Sequence, residues 1–371
     1  MHDASGSKQE KERPLLRTVG HYAISQSFHC EVHRVTTADG FILIMHRIVP
    51  GRSTDTTPTP RHPVLLQHGL FMSSGVFVTN DSSSLAFFLA EKGYDVWLGN
   101  NRGAACLEHT KFTTNDPEFW DWCVDDLARY DVPAMVDHVL KSAGQPSLTW
   151  VGHSQGNAQA FMALSSIPSL TSKIRLMVAV APTARLGELP SAALRFLRRE
   201  HYFETLFGTT QFVPMISYVL DLAPASLFAL LGYNMFYYLF RWSDTRWLKS
   251  RKAKYFQFTG LPVSCKQIRH WIKMTMRGGL SRYDTGELYP IENIRVPLAV
   301  FHGEKDEIAD ADALQKLLLS NPTVPLRRFE RIADYEHLDL IWATDAVEKS
   351  LDKIHEVISQ ELAREQPDPT F

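Results

Sequence analysis

Residues 148–156 read Leu-Thr-Trp-Val-Gly-His-Ser-Gln-Gly. Leu148–Val151 is a short apolar run of strand character, and Gln155–Ser165 has the composition of a helix. Between them, Gly152-His153-Ser154-Gln155-Gly156 spells G-x-S-x-G in a strand–turn–helix setting, the nucleophile elbow. The glycines are required because side chains in so tight a turn would collide. The turn lifts the serine hydroxyl above the sheet at the helix N-terminus. A chance pentapeptide match in a chain this long is expected about 0.1 times; the setting makes the signal specific.

Short apolar runs alternate with helical stretches on both sides of the elbow. Pro63–Gln67, Tyr94–Leu98, Ile174–Ala181, Val296–Phe301 and Leu326–Phe329 read as strands. Ser84–Glu91, Val124–Ser142, Ala311–Leu319 and Ala346–Ala363 read as helices. This rhythm predicts an α/β fold with a mostly parallel sheet covered on both faces. Two alternating runs, Glu31–Ala38 and Phe41–Val49, flank Asp39-Gly40, a hairpin turn signal, and predict an antiparallel first edge. Residues 1–14 are polar and predicted to be a disordered tail. Residues 51–63 read as a surface loop.

The rhythm stops at 183–290, an aromatic-rich interval with no clear βαβ unit. The core is therefore assigned to 15–182 and 291–365, with 183–290 inserted as a lid or cap. Within it, Leu222–Phe240 carries no charge and reaches the lower length limit of a membrane span. Pro224, Gly232 and Asn234 interrupt it, and strands of the same sheet resume downstream, so a cap fits better. The basic run Arg246–Lys254 reads either as a solvated helix face or as a dock for an anionic lipid surface.

A serine hydroxyl needs a base, and in this architecture an acid and then a histidine follow it along the chain. Val296–Phe301 leads into His302-Gly303-Glu304-Lys305-Asp306, and Tyr335-Glu336-His337-Leu338-Asp339 precedes a helical run. Asp306 is assigned as the orienting carboxylate, with Glu304 and Asp310 as rivals, and His337 as the base. A loop histidine capping a helix would look the same in isolation. The oxyanion donors are expected to be the backbone amides of Leu70, after His68-Gly69, and of Gln155.

The composition agrees with a soluble globular chain: 371 residues, 44% hydrophobic, 22% charged, with 39 Lys and Arg against 41 Asp and Glu. The absent basic surplus argues against nucleic acid as a partner. Cys30, Cys106, Cys123 and Cys265 are far apart and read as free buried thiols rather than a disulfide or zinc framework. His29 and His33 are four apart, but on a strand pattern, and no metal site is expected. Asp125, Asp126 and Asp131 read as helix surface and capping. The N-terminus has no apolar h-region, so the expected place is intracellular, cytoplasmic or at a lipid surface.

Together these residues resemble the acid lipase family of gastric lipase, lysosomal acid lipase and fungal steryl ester hydrolases. The resemblance runs over roughly residues 20–345. It includes Thr37–Leu43, His68-Gly69-Leu70, Gly93–Gly103, Phe119-Trp120, Tyr130–Ala134, Gly152–Gly156, Gly303–Asp306 and His337–Trp342. It implies Ser154 as nucleophile, Asp306 and His337 in the roles above, and the Leu70 and Gln155 amides as oxyanion hole. Secreted members carry a signal peptide, several glycosylation sites and a lid disulfide. Here a single acceptor pattern, Asn80-Asp81-Ser82, and a single cysteine in the lid interval, Cys265, point to an intracellular relative of fungal type.

The expectation is a serine hydrolase cleaving bulky hydrophobic esters through an acyl-enzyme, with no metal or organic cofactor. Its partners would be the hydrophobic ester and, through the lid, a membrane or lipid droplet. Two other readings stay open: transfer of the acyl group to an acceptor other than water, including cyclisation, and a catalytically silent lipid-binding protein.

Overall fold

The computed structural model describes residues 18–51, 61–185, 200–214 and 224–364. The expected tail at 1–14, most of the 51–63 loop and parts of the 183–290 interval lie outside the described residues. The strands are β1 (Phe28–Thr36), β2 (Ile42–Pro50), β3 (Pro63–Gln67), β4 (Asp95–Gly99), β5 (Leu148–His153), β6 (Ile174–Val180), β7 (Leu298–Gly303) and β8 (Leu326–Ile332). They form one sheet in the order β1-β2-β4-β3-β5-β6-β7-β8. β1 and β2 are an antiparallel hairpin in the register Thr36↔Ile42, and β2 pairs antiparallel with β4. All later pairings are parallel.

Every residue of β3, β4, β5 and β7 is buried, as a sheet covered on both faces requires. The two-residue period of a strand divides them between two cores. Val64, Leu66, Val96, Leu98 and Val151 enter one, under the helices Leu85–Glu91 and Asp352–Ala363. Leu65, Trp97, Trp150 and Met177 enter the other, under Val132–Ala143, Gln155–Ser166 and Ala311–Ser320. An uninterrupted apolar run is therefore what each central strand needs, and it is also why these strands stand out in the sequence.

Two predicted helices are interrupted. Val124–Ser142 is a short helix, Val124–Asp126, a wider π-type turn, Leu127–Asp131, and then Val132–Ala143. Pro133 has no N–H to donate and its ring crowds the preceding turn. Asp131 is also drawn inward: wholly buried, it accepts from the Arg102 backbone (3.0 Å) and from its guanidinium at 2.6 and 2.9 Å. That corrects its reading as helix surface. Asp126 does cap, accepting from Cys123 N at 2.8 Å. Ala346–Ala363 likewise opens with a π-type turn at Val347–Leu351.

β6 and β7 are neighbours in the sheet, and the interval between them carries helices, including Glu200–Phe207, Ala225–Phe240, Lys252–Phe256 and Cys265–Arg277, joined by irregular segments. Among the described residues no helix is long and apolar enough to cross a membrane. The basic run is not a free solvated face. Arg246 pairs with Asp334 and Asp345, Arg251 and Lys254 with Asp81, and Lys252 with Asp244. Of the four free cysteines, Cys123 and Cys265 are buried, while Cys30 and Cys106 are half-buried. Asn80 is buried and held by Arg251 and Tyr255 at 2.8 Å each, so the acceptor pattern is used as a structural tie.

Candidate active site

Ser154 sits between β5 and the helix Gln155–Ser166 with φ 53° and ψ −119°. A non-glycine residue at positive φ is strained by about 1–3 kcal/mol, and the neighbours hold it there. Ser154 N donates to Val180 O at 3.1 Å, and Asn157 donates back to Ser154 O at 2.9 Å. A Cβ on Gly152 would strike Asn157, and one on Gly156 would strike the backbone of Gln67 and His68. The two glycines thus let the elbow close against β3.

His337 lies in the turn before Asp339–Trp342, and Asp306 follows β7. His337 Nδ1 and Asp306 Oδ2 are 2.7 Å apart, and both side chains are buried. Asp306 also accepts from Ile308 N at 3.0 Å. Burial alone would push this carboxyl up; the facing His337 and these hydrogen bonds outweigh it and hold Asp306 below the usual carboxylate range. The rivals are used elsewhere: Glu304 accepts from Asp334 N, and Asp310 caps Ala311–Ser320 through Ala313 N. His153, adjacent to the serine, bridges to His337. Its Nε2 lies 3.1 Å from His337 O, and the two rings are 5.1 Å apart. Burial drives His153 down to about 3, so it is a neutral N–H donor to that carbonyl at working pH.

On the other side, a Cβ placed on Gly69 would lie 3.5 Å from Ser154 Oγ, so the His68-Gly69-Leu70 turn abuts Ser154. Among the described residues, neither Leu70 N–H nor Gln155 N–H donates to a backbone carbonyl. For Gln155 this is intrinsic, since the first amides of a helix have no intrahelical acceptor. Neither amide is therefore tied to a backbone acceptor, and that of Gln155 opens the helix that follows Ser154.

A buried polar network beneath this turn was not anticipated. Asn101 N donates to His68 Nε2 at 3.2 Å, which leaves Nδ1–H to donate to Gly69 O at 2.8 Å. Burial lowers His68 to about 4, which keeps it in that neutral form. Gln67 and Gln159 each donate to Asn101 Oδ1 at 2.9 Å. The Gln155 side chain is fixed from the insertion: its Oε1 accepts from Gln267 (2.6 Å) and Trp271 (2.7 Å). Apart from the His68–Gly69 bond, no local pattern signals these contacts, because they join segments distant in sequence.

One further group, Cys123, Asp125 and His270, converges as metal ligands could. Its donors are engaged at Asp125 and at His270 Nε2, while His270 Nδ1 is buried without a partner. Asp125 accepts from Tyr289 and from Tyr283 N, and His270 Nε2 is 2.6 Å from Ser281 O. Burial keeps the Cys123 thiol protonated. These contacts make it a packing cluster between core and insertion.

With three strand ends and one turn converging on a hydroxyl, an imidazole and a carboxylate, the arrangement suits acyl transfer through a covalent intermediate. Family models of a partial α/β-hydrolase lipase region and of the α/β-hydrolase fold match residues 19–81 and 62–211. The chain is 35% identical to a probable lipase of Schizosaccharomyces pombe, over 85% of this chain and 71% of that protein. It is 34% identical to gastric triacylglycerol lipase of Bos taurus, over 89% and 88% of the two chains. It is 32% identical to lysosomal acid lipase/cholesteryl ester hydrolase of Rattus norvegicus, over 85% and 84%. The crystal structure of a putative lipase from Sulfolobus solfataricus superposes with a TM-score of 0.62 at 15% identity, covering 90% of this chain and 95% of that one; at that identity the likeness concerns the fold alone.

Proposed function

This chain belongs to the family of the gastric and lysosomal acid lipases and is a serine ester hydrolase acting on lipids, and from that premise we propose that Ser154, His337 and Asp306 carry the reaction. Ser154 Oγ attacks the ester carbonyl while His337 Nε2 takes its proton. Asp306, on Nδ1–H, fixes the tautomer and stabilises the imidazolium. The oxyanion is received by the amides of Leu70 and Gln155. His337 returns the proton to the departing alcohol, and water then releases the acid by the same steps reversed. The observation that carries this reading is the buried 2.7 Å contact between His337 and Asp306, with His153 joining the base to the elbow.

We further propose long-chain acylglycerols or steryl esters as substrates, met at a lipid surface through the insertion acting as lid. On Ala225–Phe240, Leu227, Leu230, Leu231 and Tyr238 recur at helical spacing and are 46%, 54%, 51% and 73% exposed. Phe228, Ala229 and Phe236 face inward. An uncharged helix that presents leucines outward suits acyl chains better than water. The test is labelling by a fluorophosphonate together with hydrolysis of emulsified triacylglycerol and steryl ester. The wild type should label and turn over at least one emulsion; folded Ser154→Ala should do neither. Labelling that survives in Ser154→Ala overturns the assignment.

A further inference from the structure

The insertion does more than cover the site, because one short piece of it is fastened to the loop that carries His337. Ala225–Phe240 ends at Arg241, which turns left-handed at φ 58°. Beyond it, residues 242–247 lie along residues 334–345. Ser243 donates to Glu336 through its backbone N (2.5 Å) and its hydroxyl (2.9 Å). Trp247 Nε1 donates to Asp339 Oδ1 at 2.8 Å, and Trp247 bridges to Ala343. Thr344 N donates to Arg246 O at 2.9 Å, while Arg246 Nε donates to Asp334 O at 3.1 Å. At the head of this strap, the Trp242 indole stacks on the His337 imidazole, centroids 5.0 Å apart and planes 8° apart. Trp242 is stacked in turn with Phe240, at 4.8 Å and 24°. Its Nε1–H is buried without a partner, so no hydrogen bond accounts for where the indole lies; the ring faces do.

We infer that Trp242 is a positioning residue for the reaction: its face holds the plane of the His337 imidazole and favours the imidazolium that forms when Ser154 gives up its proton. The inference rests on the reading of His337 as base. A π-face attracts a cation, most strongly when both are withdrawn from water, and His337 and Trp242 are both buried. The other titratable or charged groups facing His337 are Asp306 on Nδ1, His153 against its carbonyl, His302 at 3.9 Å from Asp306, and Glu336 held by Ser243. Burial keeps His153 and His302 on the neutral side.

The experiment uses the full chain and a soluble short-chain p-nitrophenyl ester, so that interfacial binding does not enter. Trp242→Phe keeps a ring face; Trp242→Leu fills the space without one; Trp242→Met serves if the leucine variant does not fold. Trp242→Leu should lower the kcat/KM plateau about tenfold and move the acidic limb of its pH profile about 0.5–1 unit to lower pH. The sign follows because a less stabilised imidazolium loses its proton at lower pH. Trp242→Phe should keep the limb within 0.3 unit, roughly the wild-type position. A lowered plateau with an unmoved limb means mere packing and overturns the inference, as does a phenylalanine variant damaged as much as the leucine one. A wild type that fluorophosphonate does not label defeats the reading of the site as well; a labelled wild type with an unmoved limb defeats this inference alone.

Discussion

Among the carboxylates that are buried against a cationic or basic partner, Asp306 and Asp131 make the instructive pair, and of the two only Asp306 lies at the candidate site. Asp306 faces His337 at the ends of the central strands. Asp131 faces Arg102, which also holds Asp39 of the β1–β2 turn at 2.7 and 3.1 Å and lies 4.2 Å over the Phe41 ring. Both are fully buried and paired, though burial pushes Asp131 up while the contacts of Asp306 hold it down, and the partners differ in chemistry. A guanidinium keeps its proton at any working pH, so Arg102 can only tie the hairpin turn to the π-type turn. An imidazole changes charge near neutrality, so a buried carboxylate beside one becomes part of a means of moving a proton. Burial marks a group as consequential; the titratability of its partner decides whether the consequence is structure or chemistry.

The comparison breaks most visibly at the base. His337→Ala should lower kcat per folded molecule by about 10⁴ or more, and combining it with Ser154→Ala should add almost nothing. Near-normal turnover in folded His337→Ala would put the base elsewhere. Asp306→Asn should come next. It keeps the shape but presents the wrong tautomer to Nδ1, and a loss of about 10³–10⁴ in kcat is expected from steady-state rates. If Asp310→Asn has that effect and Asp306→Asn does not, the observed contact is incidental.

Arg102→Ala probes the other carboxylate. Removing one partner of a buried pair leaves an uncompensated charge and costs about 3–5 kcal/mol. Calorimetry should show a Tm lowered by several degrees, whereas kcat per folded molecule should stay within a few-fold. A large kcat loss at unchanged Tm would mean that Arg102 serves the reaction through its neighbour Asn101.

What the sequence disclosed follows the same division. β3, β5 and β7 were legible because a doubly covered strand must be apolar throughout, and the elbow because its glycines are sterically obligatory. The contact between His337 and Asp306 was legible only through their order after Ser154. Asp131 was misread as surface because a helical period assigns faces only while the helix stays regular. Trp242, Asn101 and the Gln155–Trp271 contact carry no local signature at all. Their partners are 95, 33 and 116 residues away or are met only through tertiary packing, and no pattern of neighbours encodes that.

Asp339, two residues beyond the base, gives the smallest expected effect and the sharpest sign. It accepts from Trp247 Nε1 and from Glu336 N, each at 2.8 Å, and burial raises it to about 6. An unfolded aspartate titrates near 4. Between about pH 4 and pH 6 the folded chain therefore binds more protons than the unfolded one, and this group's contribution to stability declines as pH rises, by on the order of 2–3 kcal/mol in full. Asp306 has the opposite sign: held low, it adds stability above about pH 4 that is lost on further acidification. Asp339→Asn cannot titrate, so the Tm difference between wild type and variant should favour the wild type more at pH 4.5 than at pH 7. A difference that stays flat across that window would mean that Asp339 is charged throughout, and the strap would then hold a permanent carboxylate beside the histidine loop instead of a neutral one.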